Sequence, residues 1–132
     1  MVVRLLIVDP DRTLLDCYCA FFGYVGLETT TATSGRSASD VFLALAHDAV
    51  MLEPDLPDDG SHLLLSTIAT QTPRRPLPVI VVSRRRSFEL EFPVHEYHVK
   101  PVSMTKLLED VFEISVGGRN GVHGNRAGNS SQ

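Results

Sequence analysis

Four short apolar runs in this chain each end on a side chain that a functional site could use. Two runs end on a carboxylate, one on a hydroxyl and one on a lysine, namely Asp9, Glu53, Ser83 and Lys100. Because the carboxyl ends of parallel strands share one edge of an open α/β sheet, these four residues are expected to line one pocket. Carboxylates in such a pocket can ligate Mg²⁺ or accept a phosphoryl group. Clustered acids also repel one another, so retaining them favours a function. The alternative is that Glu53 and Lys100 form a partly buried ion pair with a structural role only.

The elements that position these residues follow from the apolar patterning. Residues 2–8 and 49–53 are apolar on both faces, as the central strands of a parallel sheet are. The other predicted strands are residues 27–32, whose threonines favour a place near an edge, and residues 78–83 and 97–99. Helices between them are predicted to begin after residues that can cap a first turn, namely Asp11 or Thr13, Ser34 and Ser103, and a further helix is predicted to start at Ser61. Strands alternating with helices predict a doubly wound α/β sheet.

The composition predicts one domain over residues 1–116 and a flexible tail over 117–132. A chain of 132 residues has the length of one domain, and 43% hydrophobic residues suffice for a core. The tail is rich in Gly, Asn and Ser and has almost no apolar residue, so burial cannot offset the entropy lost on ordering it.

Charge and cysteine usage limit the compartment and the partners. The net charge of −4 argues against a nucleic-acid-binding surface. The chain has no signal peptide and no apolar run near 18 residues, so a cytoplasmic protein without a membrane partner is expected. Cys17 and Cys19 lie two apart on a predicted helix and cannot pair, which favours a reducing compartment, with Cys17 as a buried small residue. The five histidines show no metal-ligand spacing.

The ordered set of strand-end residues resembles the receiver domain of bacterial two-component response regulators, over roughly residues 2–114. In that family an acidic pair follows the first strand, and a phosphoacceptor Asp ends the third. A Ser or Thr ends the fourth strand and Lys-Pro the fifth, with an aromatic residue three positions before the lysine. The matching residues here are Asp9, Glu53, Ser83, Lys100, Pro101 and Tyr97. The resemblance implies a flavodoxin-like fold with five parallel strands.

Two departures from the family pattern decide what the site is expected to do. Glu53 stands at the phosphoacceptor position, and Pro10 stands at the second acidic position. By resemblance, Mg²⁺ would be held by that second acid, the acceptor and the carbonyl two residues beyond it, here that of Asp55. Because Pro10 offers no side-chain oxygen, Mg²⁺ binding by Asp9, Glu53 and Asp55 is expected to be weak or absent, and no cofactor is required. Whether Asp11 or Asp55 substitutes as ligand or acceptor stays open.

Glu53 is expected not to accept a phosphoryl group. Its side chain is one methylene longer than that of Asp, so its carboxylate reaches about 1.5 Å further. A misplacement of that order can cost about 100-fold in rate. A glutamate also resembles a phosphoaspartate crudely, with one charge where a phosphate carries nearly two. An ion pair of Glu53 with Lys100, bonded to Ser83, would hold something like the switched-on arrangement, with Tyr97 turned inward.

The segment between the fourth and fifth strands is short for the family, which places a full helix there. Lys100 follows Ser83 by only 17 positions, and Pro93 would break a long helix. A shortened fourth helix or a loop is therefore expected. This departure bears on the surface through which the family commonly binds partners, made of its fourth helix, fifth strand and last helix.

Residues 9–13 also resemble the DxDxT motif of haloacid-dehalogenase-type phosphohydrolases. In that family the first Asp is the nucleophile and the second is a general acid/base, which would be Asp9 and Asp11 here. Arg12 replaces the usual Gly, and no later strand ends on a pair of acids. A Mg²⁺-dependent phosphohydrolase is therefore the alternative interpretation.

The sequence as a whole predicts a stand-alone, atypical receiver domain in bacterial phosphorelay signalling, and not an enzyme. It is expected to act through a protein partner, either a sensor kinase or a downstream effector. A monomer or weak homodimer is expected.

Overall fold

Alternating strands and capped helices wind the chain into a single parallel sheet with helices on both faces. The computed structural model describes residues 2–87 and 89–116, so the predicted tail lies outside the described residues. In chain order the elements are β1 (Arg4–Val8), α1 (Arg12–Tyr24), β2 (Glu28–Ala32), α2 (Gly35–Ala44), β3 (Ala49–Leu52), α3 (Ser61–Gln71), β4 (Val79–Ser83), β5 (Glu96–Val99) and α4 (Met104–Val116).

The five strands are parallel and lie in the order β2-β1-β3-β4-β5, so the predicted flavodoxin-like sheet is confirmed. The threonine-rich strand β2 lies at an edge, as its composition predicts. Strand order reverses between β1 and β3, and ligands of such sheets bind at this switch point, beyond the carboxyl ends of the strands. Backbone hydrogen bonds from Asp9 N to Ala32 O (3.1 Å) and from Glu53 N to Val8 O (2.9 Å) fix both acids at that edge.

Alternation along the strands divides the core into two layers. One layer packs under α2 and α3 and includes Leu6, Val81 and Tyr97. The other packs under α1 and α4 and includes Leu5 and Met51. Because both faces of the sheet are covered, the central strands β1, β3 and β4 are almost wholly apolar, and their few polar side chains lie at the strand ends.

The helix caps largely match the sequence prediction. Asp11 caps α1, which decides between Asp11 and Thr13, and Ser34 caps α2 through the backbone N–H of Ser37. Helix α3 begins at Ser61, and Ser103 accepts a hydrogen bond from the backbone N–H of Lys106 in the first turn of α4. The prediction that Cys17 is buried is wrong: this residue lies on the exposed face of α1, because the apolar stripe of the helix runs through other positions.

A loop takes the place of a helix between β4 and β5. Of the two predicted alternatives, the described residues 84–87 and 89–95 form the loop. Val94 is buried, and Leu90 and Phe92 pack partly buried against the core layer under α2 and α3. The loop therefore covers the part of the core that lies beside β4 and β5.

The segment that follows Glu53 is anchored to the start of α2. The carboxylate of Asp58 accepts hydrogen bonds from the backbone N–H groups of Gly35, Arg36 and Gly60, each at 3.0 Å. The bonds from Gly35 and Arg36 hold the pKa of Asp58 below its usual value. Gly35 and Gly60 also pack backbone against backbone, since a Cβ on Gly35 would lie 2.1 Å from the Gly60 carbonyl.

Replacing Gly35 by alanine is expected to destabilise the fold, because the new methyl group would displace the backbone of Gly60. Overpacking of this kind costs about 2–3 kcal/mol of unfolding free energy, measurable by urea denaturation. Gly23 is the matched control, since a Cβ there meets nothing within 4 Å. Gly23→Ala should leave stability unchanged or raise it by up to about 1 kcal/mol. A Gly35→Ala protein as stable as wild type would contradict the close approach of the two glycines.

Candidate functional site

The acids that end β1 and β3 meet the lysine that follows β5. The Lys100 ammonium donates to Asp9 Oδ2 at 2.7 Å and to Glu53 Oε1 at 3.2 Å. Both carboxylates are buried, with side chains 4% and 5% exposed, and the lysine side chain is 14% exposed. A single cation thus joins two carboxylates at a partly desolvated sheet edge, where charge interactions are stronger than at an open surface.

The carboxylate of Glu53 accepts hydrogen bonds from four sides. Ser83 Oγ donates to Oε2 at 2.8 Å, and the backbone N–H of Asp55 donates to the same oxygen at 3.0 Å. Oε1 accepts from Lys100 and, at 3.4 Å, from the backbone N–H of Arg84. Ser83 is itself fully buried and accepts a hydrogen bond from the backbone N–H of Arg85. Both oxygens of Glu53 are therefore held by donors of the protein itself.

Asp11 lies beside this cluster but serves a different contact. Its backbone N–H donates to Asp9 Oδ1 at 2.9 Å, and its own carboxylate accepts from the backbone N–H of Leu14 at 3.2 Å. The Asp11 side chain therefore caps α1 and makes no bond to Lys100. The structure accordingly places this predicted pocket residue at the rim of the cluster.

Asp55 contributes to the cluster through its backbone N–H and not through its carboxylate. The Asp55 carboxylate turns to solvent and pairs with the Arg85 guanidinium at 3.3 Å, with the two side chains 54% and 57% exposed. An ion pair this exposed contributes little to stability. Of the acids predicted to line the pocket, only Asp9 and Glu53 bond to Lys100 within the described part of the chain.

Tyr97 is turned inward, as the sequence predicts. Its side chain is buried in the core layer under α2 and α3, and its hydroxyl donates to the backbone carbonyl of Arg85 at 2.9 Å. Burial raises the pKa of Tyr97, a hydrogen bond with Ser83 opposes that rise, and the charge of Glu53 adds to it. The phenol therefore stays protonated at neutral pH and can hold the start of the loop after β4.

The residues at this edge do not fit an octahedral Mg²⁺ site. Pro10 supplies no side-chain oxygen, and the four carboxylate oxygens of Asp9 and Glu53 all accept hydrogen bonds from protein donors. The ammonium of Lys100 lies between the two acids, where a metal ion would otherwise be attracted. Within residues 2–87 and 89–116, no three His, Cys, Asp or Glu side chains group closely enough to hold a metal ion.

Sequence reasoning missed two features near the site. Tyr18 on α1 is buried, and its pKa is raised first by desolvation and then by the negative charges of Asp9, Glu53 and Asp11. Helical spacing predicts that Tyr18 lies on the apolar face of α1, one turn after Leu14, and its burial confirms this; its closeness to the acids was the feature not predicted. The backbone N–H of Arg84 was also missed, because a bond from a loop backbone leaves no mark in the sequence.

A buried pair between β5 and α4 was also missed. His98 Nε2 hydrogen-bonds Asp110 Oδ2, and both side chains are about 5% exposed. Lys106 lies 3.4 Å from the other oxygen of Asp110. His98 points to the face of the sheet opposite to that of Tyr97, as alternation along a strand requires. The available signal was Asp110 itself, an acid one residue before Val111 on the apolar face of α4.

The arrangement can hold negative charge but is poorly disposed to transfer a group. A hydroxyl, an ammonium and two backbone N–H groups converge on one carboxylate, and such convergent donors stabilise an anion. A nucleophilic carboxylate instead needs an oxygen free to approach phosphorus in line.

One known protein is similar to this chain in sequence, and several solved structures are similar to it in fold. No family model matches the chain. The response regulator MprA of Mycolicibacterium vanbaalenii is 29% identical over 114 residues, which cover 82% of this chain and 48% of that protein. The chain thus spans about half the length of this curated relative.

Solved structures share the fold. A CheY-like response regulator receiver domain protein from Methanospirillum hungatei superposes with a TM-score of 0.79 at 23% identity, covering 91% of this chain and 98% of that one. The receiver domain of the Francisella response regulator 1452 gives 0.76 at 23% identity, covering 88% and 98%. A putative response regulator from Chloroflexus aurantiacus gives 0.74 at 22% identity, covering 88% and 99%.

None of the helices within the described ranges is both long enough and apolar enough to cross a membrane. The chain has the fold of response regulator receiver domains and is similar in sequence to one response regulator over 114 residues.

Proposed function

We propose that this chain is a response regulator receiver domain that takes no phosphoryl group at Glu53 and signals through contacts with a protein partner. The observation that carries the proposal is the set of four donors on the Glu53 carboxylate, from Ser83, Lys100 and the backbone of Asp55 and Arg84. These donors hold the glutamate where an acceptor would have to be free to react.

Three physical arguments support the loss of phosphoryl acceptance. Glu53 is buried, and an incoming phosphoryl donor would have to displace Ser83 or Lys100 from its oxygens. Its extra methylene moves the carboxylate about 1.5 Å relative to an aspartate, and such a shift costs about 100-fold in rate. Pro10 stands where the family has the second acid of the pair after the first strand, so we propose that the protein works without Mg²⁺.

The same contacts support a constitutively signalling state. Lys100 and Ser83 bond the Glu53 carboxylate, and Tyr97 lies inward with its hydroxyl bonded to the backbone of the following loop. A glutamate carries one negative charge and a phosphoaspartate nearly two, so the mimicry is partial. On this proposal the domain is regulated by something other than phosphorylation of Glu53.

The proposed partner surface combines β5, α4 and the loop before β5. The loop formed by the described residues 84–87 and 89–95 presents different groups from those a helix would present. Exposed Arg84 and Arg85 lie at its start, and the side chain of Phe112 on α4 is 39% exposed. We propose that the partner is a protein, either a sensor kinase or a downstream effector, that recognises this altered face.

Incubation with acetyl phosphate and Mg²⁺ is expected to leave the protein unmodified, because the oxygens of Glu53 are already bonded. Intact-mass analysis measures the result. The double variant Pro10→Asp with Glu53→Asp is the positive control, since it supplies the missing acid and retracts the carboxylate, and it should gain some phosphorylation. A stoichiometric phosphoryl adduct on the wild-type protein would refute the proposal, and mapping it to Asp55 would identify another acceptor.

Glu53 and Lys100 are expected to be coupled in stability, because their charges meet at 3.2 Å at a largely buried edge. Lys100→Met and Glu53→Gln should lose less together than the sum of their separate effects, by about 1–2 kcal/mol of unfolding free energy. Urea denaturation of the four proteins in the cycle measures this.

The Arg4–Glu28 pair is the matched control for that cycle. Its charges lie 3.0 Å apart, but both side chains are more than half exposed. Its coupling should be at most about 0.5 kcal/mol. A Glu53–Lys100 coupling no larger than that of the control would remove the case for a locked site.

Phosphomonoesters are expected not to be hydrolysed in the presence of Mg²⁺, because the Asp11 carboxylate is bonded to the backbone of α1 instead of facing the cluster. A colorimetric phosphate assay on a substrate panel measures this. Turnover that both Asp9→Asn and Asp11→Asn abolish would instead support the phosphohydrolase interpretation.

A further inference from the structure

The longest run of consecutive basic residues in the chain opens the loop after β4. Three arginines, residues 84–86, are followed at once by a serine, Ser87. An apolar residue, Phe88, comes next in the sequence, and the acids Glu89 and Glu91 follow. The chain as a whole has a net charge of −4, so three adjacent positive charges beside a hydroxyl group are a local feature of this loop.

Ser87 and the arginines before it are open to solvent. Residues 84–87 are all exposed, and they belong to no helix or strand. On a helix, a serine or threonine hydroxyl is often bonded to the backbone, as Thr67 Oγ1 is to the carbonyl of Leu63 at 2.8 Å on α3. The loop instead presents Ser87 on irregular, exposed backbone, which an enzyme that binds an extended segment can accommodate.

The start of the loop is fixed through its backbone. Arg84 donates its backbone N–H to Glu53, and Arg85 donates its backbone N–H to Ser83 Oγ. These bonds use main-chain groups, so the side chains of both arginines stay exposed. Ser87 follows Arg85 by two positions, so its hydroxyl comes directly after an anchored and positively charged stretch of chain.

We propose that Ser87 is a phosphorylation site for a Ser/Thr protein kinase that recognises arginines ahead of its target. Protein kinases discriminate among substrates by the pattern of charges around the reacting hydroxyl. Carboxylates in the peptide groove of such a kinase would pair with the guanidinium groups of residues 84–86, whose forked geometry matches a carboxylate.

The reaction takes its phosphoryl group from a nucleoside triphosphate bound with Mg²⁺ in the kinase. Ser87 Oγ forms a bond to the γ-phosphorus, and the bond from that phosphorus to the β,γ-bridging oxygen breaks. The nucleoside diphosphate leaves, and the hydroxyl proton passes to a carboxylate of the kinase. This site goes beyond the proposed function, because it holds whether or not Glu53 accepts a phosphoryl group, which acetyl phosphate tests separately.

The other hydroxyls of the chain match such a kinase less well. Ser87 is the only serine or threonine in the sequence with more than one basic residue among the three positions before it. Ser37 follows Arg36, but its hydroxyl is bonded within the first turn of α2. Ser103 follows Lys100 by three positions, but that ammonium is bonded to the acid cluster.

A phosphate on Ser87 would change the charge balance at the mouth of the acid cluster. It adds about 1.5 to 2 negative charges at neutral pH, together with strong acceptor oxygens. The Arg85–Asp55 ion pair is open to competition, because both of its side chains are more than half exposed. An Arg85 guanidinium drawn to the phosphate would release the carboxylate of Asp55, whose backbone N–H bonds Glu53.

Incubation of the full chain with ATP, Mg²⁺ and a purified Ser/Thr kinase that selects arginines before the serine tests the proposal. Tandem mass spectrometry is expected to find a single phosphoryl group, on Ser87, and none on the Ser87→Ala variant. Ser66→Ala is the matched control, since it removes an exposed hydroxyl from α3, and it should be modified as fast as wild type. A kinase that selects acids after the serine should act far more slowly, although Glu89 and Glu91 follow Ser87.

Two double variants separate recognition of the loop from general charge attraction. Arg84→Gln with Arg85→Gln should lower the initial rate about tenfold, as loss of charged hydrogen-bonded contacts does. Arg74→Gln with Arg75→Gln is the matched control, since it removes the same charge from another exposed loop, and it should leave the rate unchanged. Unchanged thermal unfolding would show that each variant is folded.

Four results would each overturn the proposal. One is the absence of modification by the arginine-selecting kinase, and another is full modification of Ser87→Ala. An equal rate with the acid-selecting kinase would show that the arginines do not direct the reaction. An equal loss of rate in the two double arginine variants would show attraction to the charge of the whole protein instead of recognition of the loop.

Discussion

The arrangement of side chains at the carboxyl edge of the sheet depends on one ammonium group, that of Lys100, placed between two buried carboxylates. Asp9 and Glu53 follow neighbouring strands, so the fold itself forces two negative charges together at the switch point of the sheet. Without Lys100 these charges would repel one another in a region largely closed to water, where such repulsion is strong. Lys100 follows β5, so the ion pairs also join the far side of the sheet to its centre. The contact of Lys100 with the two acids therefore neutralises part of their charge and also links β5 to β1 and β3.

A glutamate at the centre of this contact changes which groups at the sheet edge are bonded to one another. An aspartate is shorter and would leave room between its carboxylate and the lysine, whereas Glu53 spans that room and reaches both Ser83 and Lys100. The donors that converge at this edge are thus bonded to a side chain of the protein itself. The proposal that Glu53 accepts no phosphoryl group rests on this bonding.

Much of the fold could be predicted from the sequence because the relevant signals are local. Apolar runs that end on Asp9, Glu53 and Ser83 predicted the strands and the edge that they share. The capping residues Ser34 and Ser103 predicted where two helices start. Cys17 was misjudged because a small thiol suits either face of a helix. The bonds of Asp58 to the start of α2 depend on two loops far apart in sequence, and no periodicity encodes such a contact.

The buried pair of His98 and Asp110 has a mechanical consequence. It fastens the middle of β5 to α4, and Leu107 and Val111 pack against the sheet on either side of it. Strand and helix should therefore shift as one body when a protein pulls on the outer face of α4. Lys100 comes two residues after His98, so such a displacement would be transmitted to the ammonium within a few ångströms of the fastening. A partner bound to the outer face of α4 would in this way change the position of Lys100 relative to Asp9 and Glu53 without touching either acid.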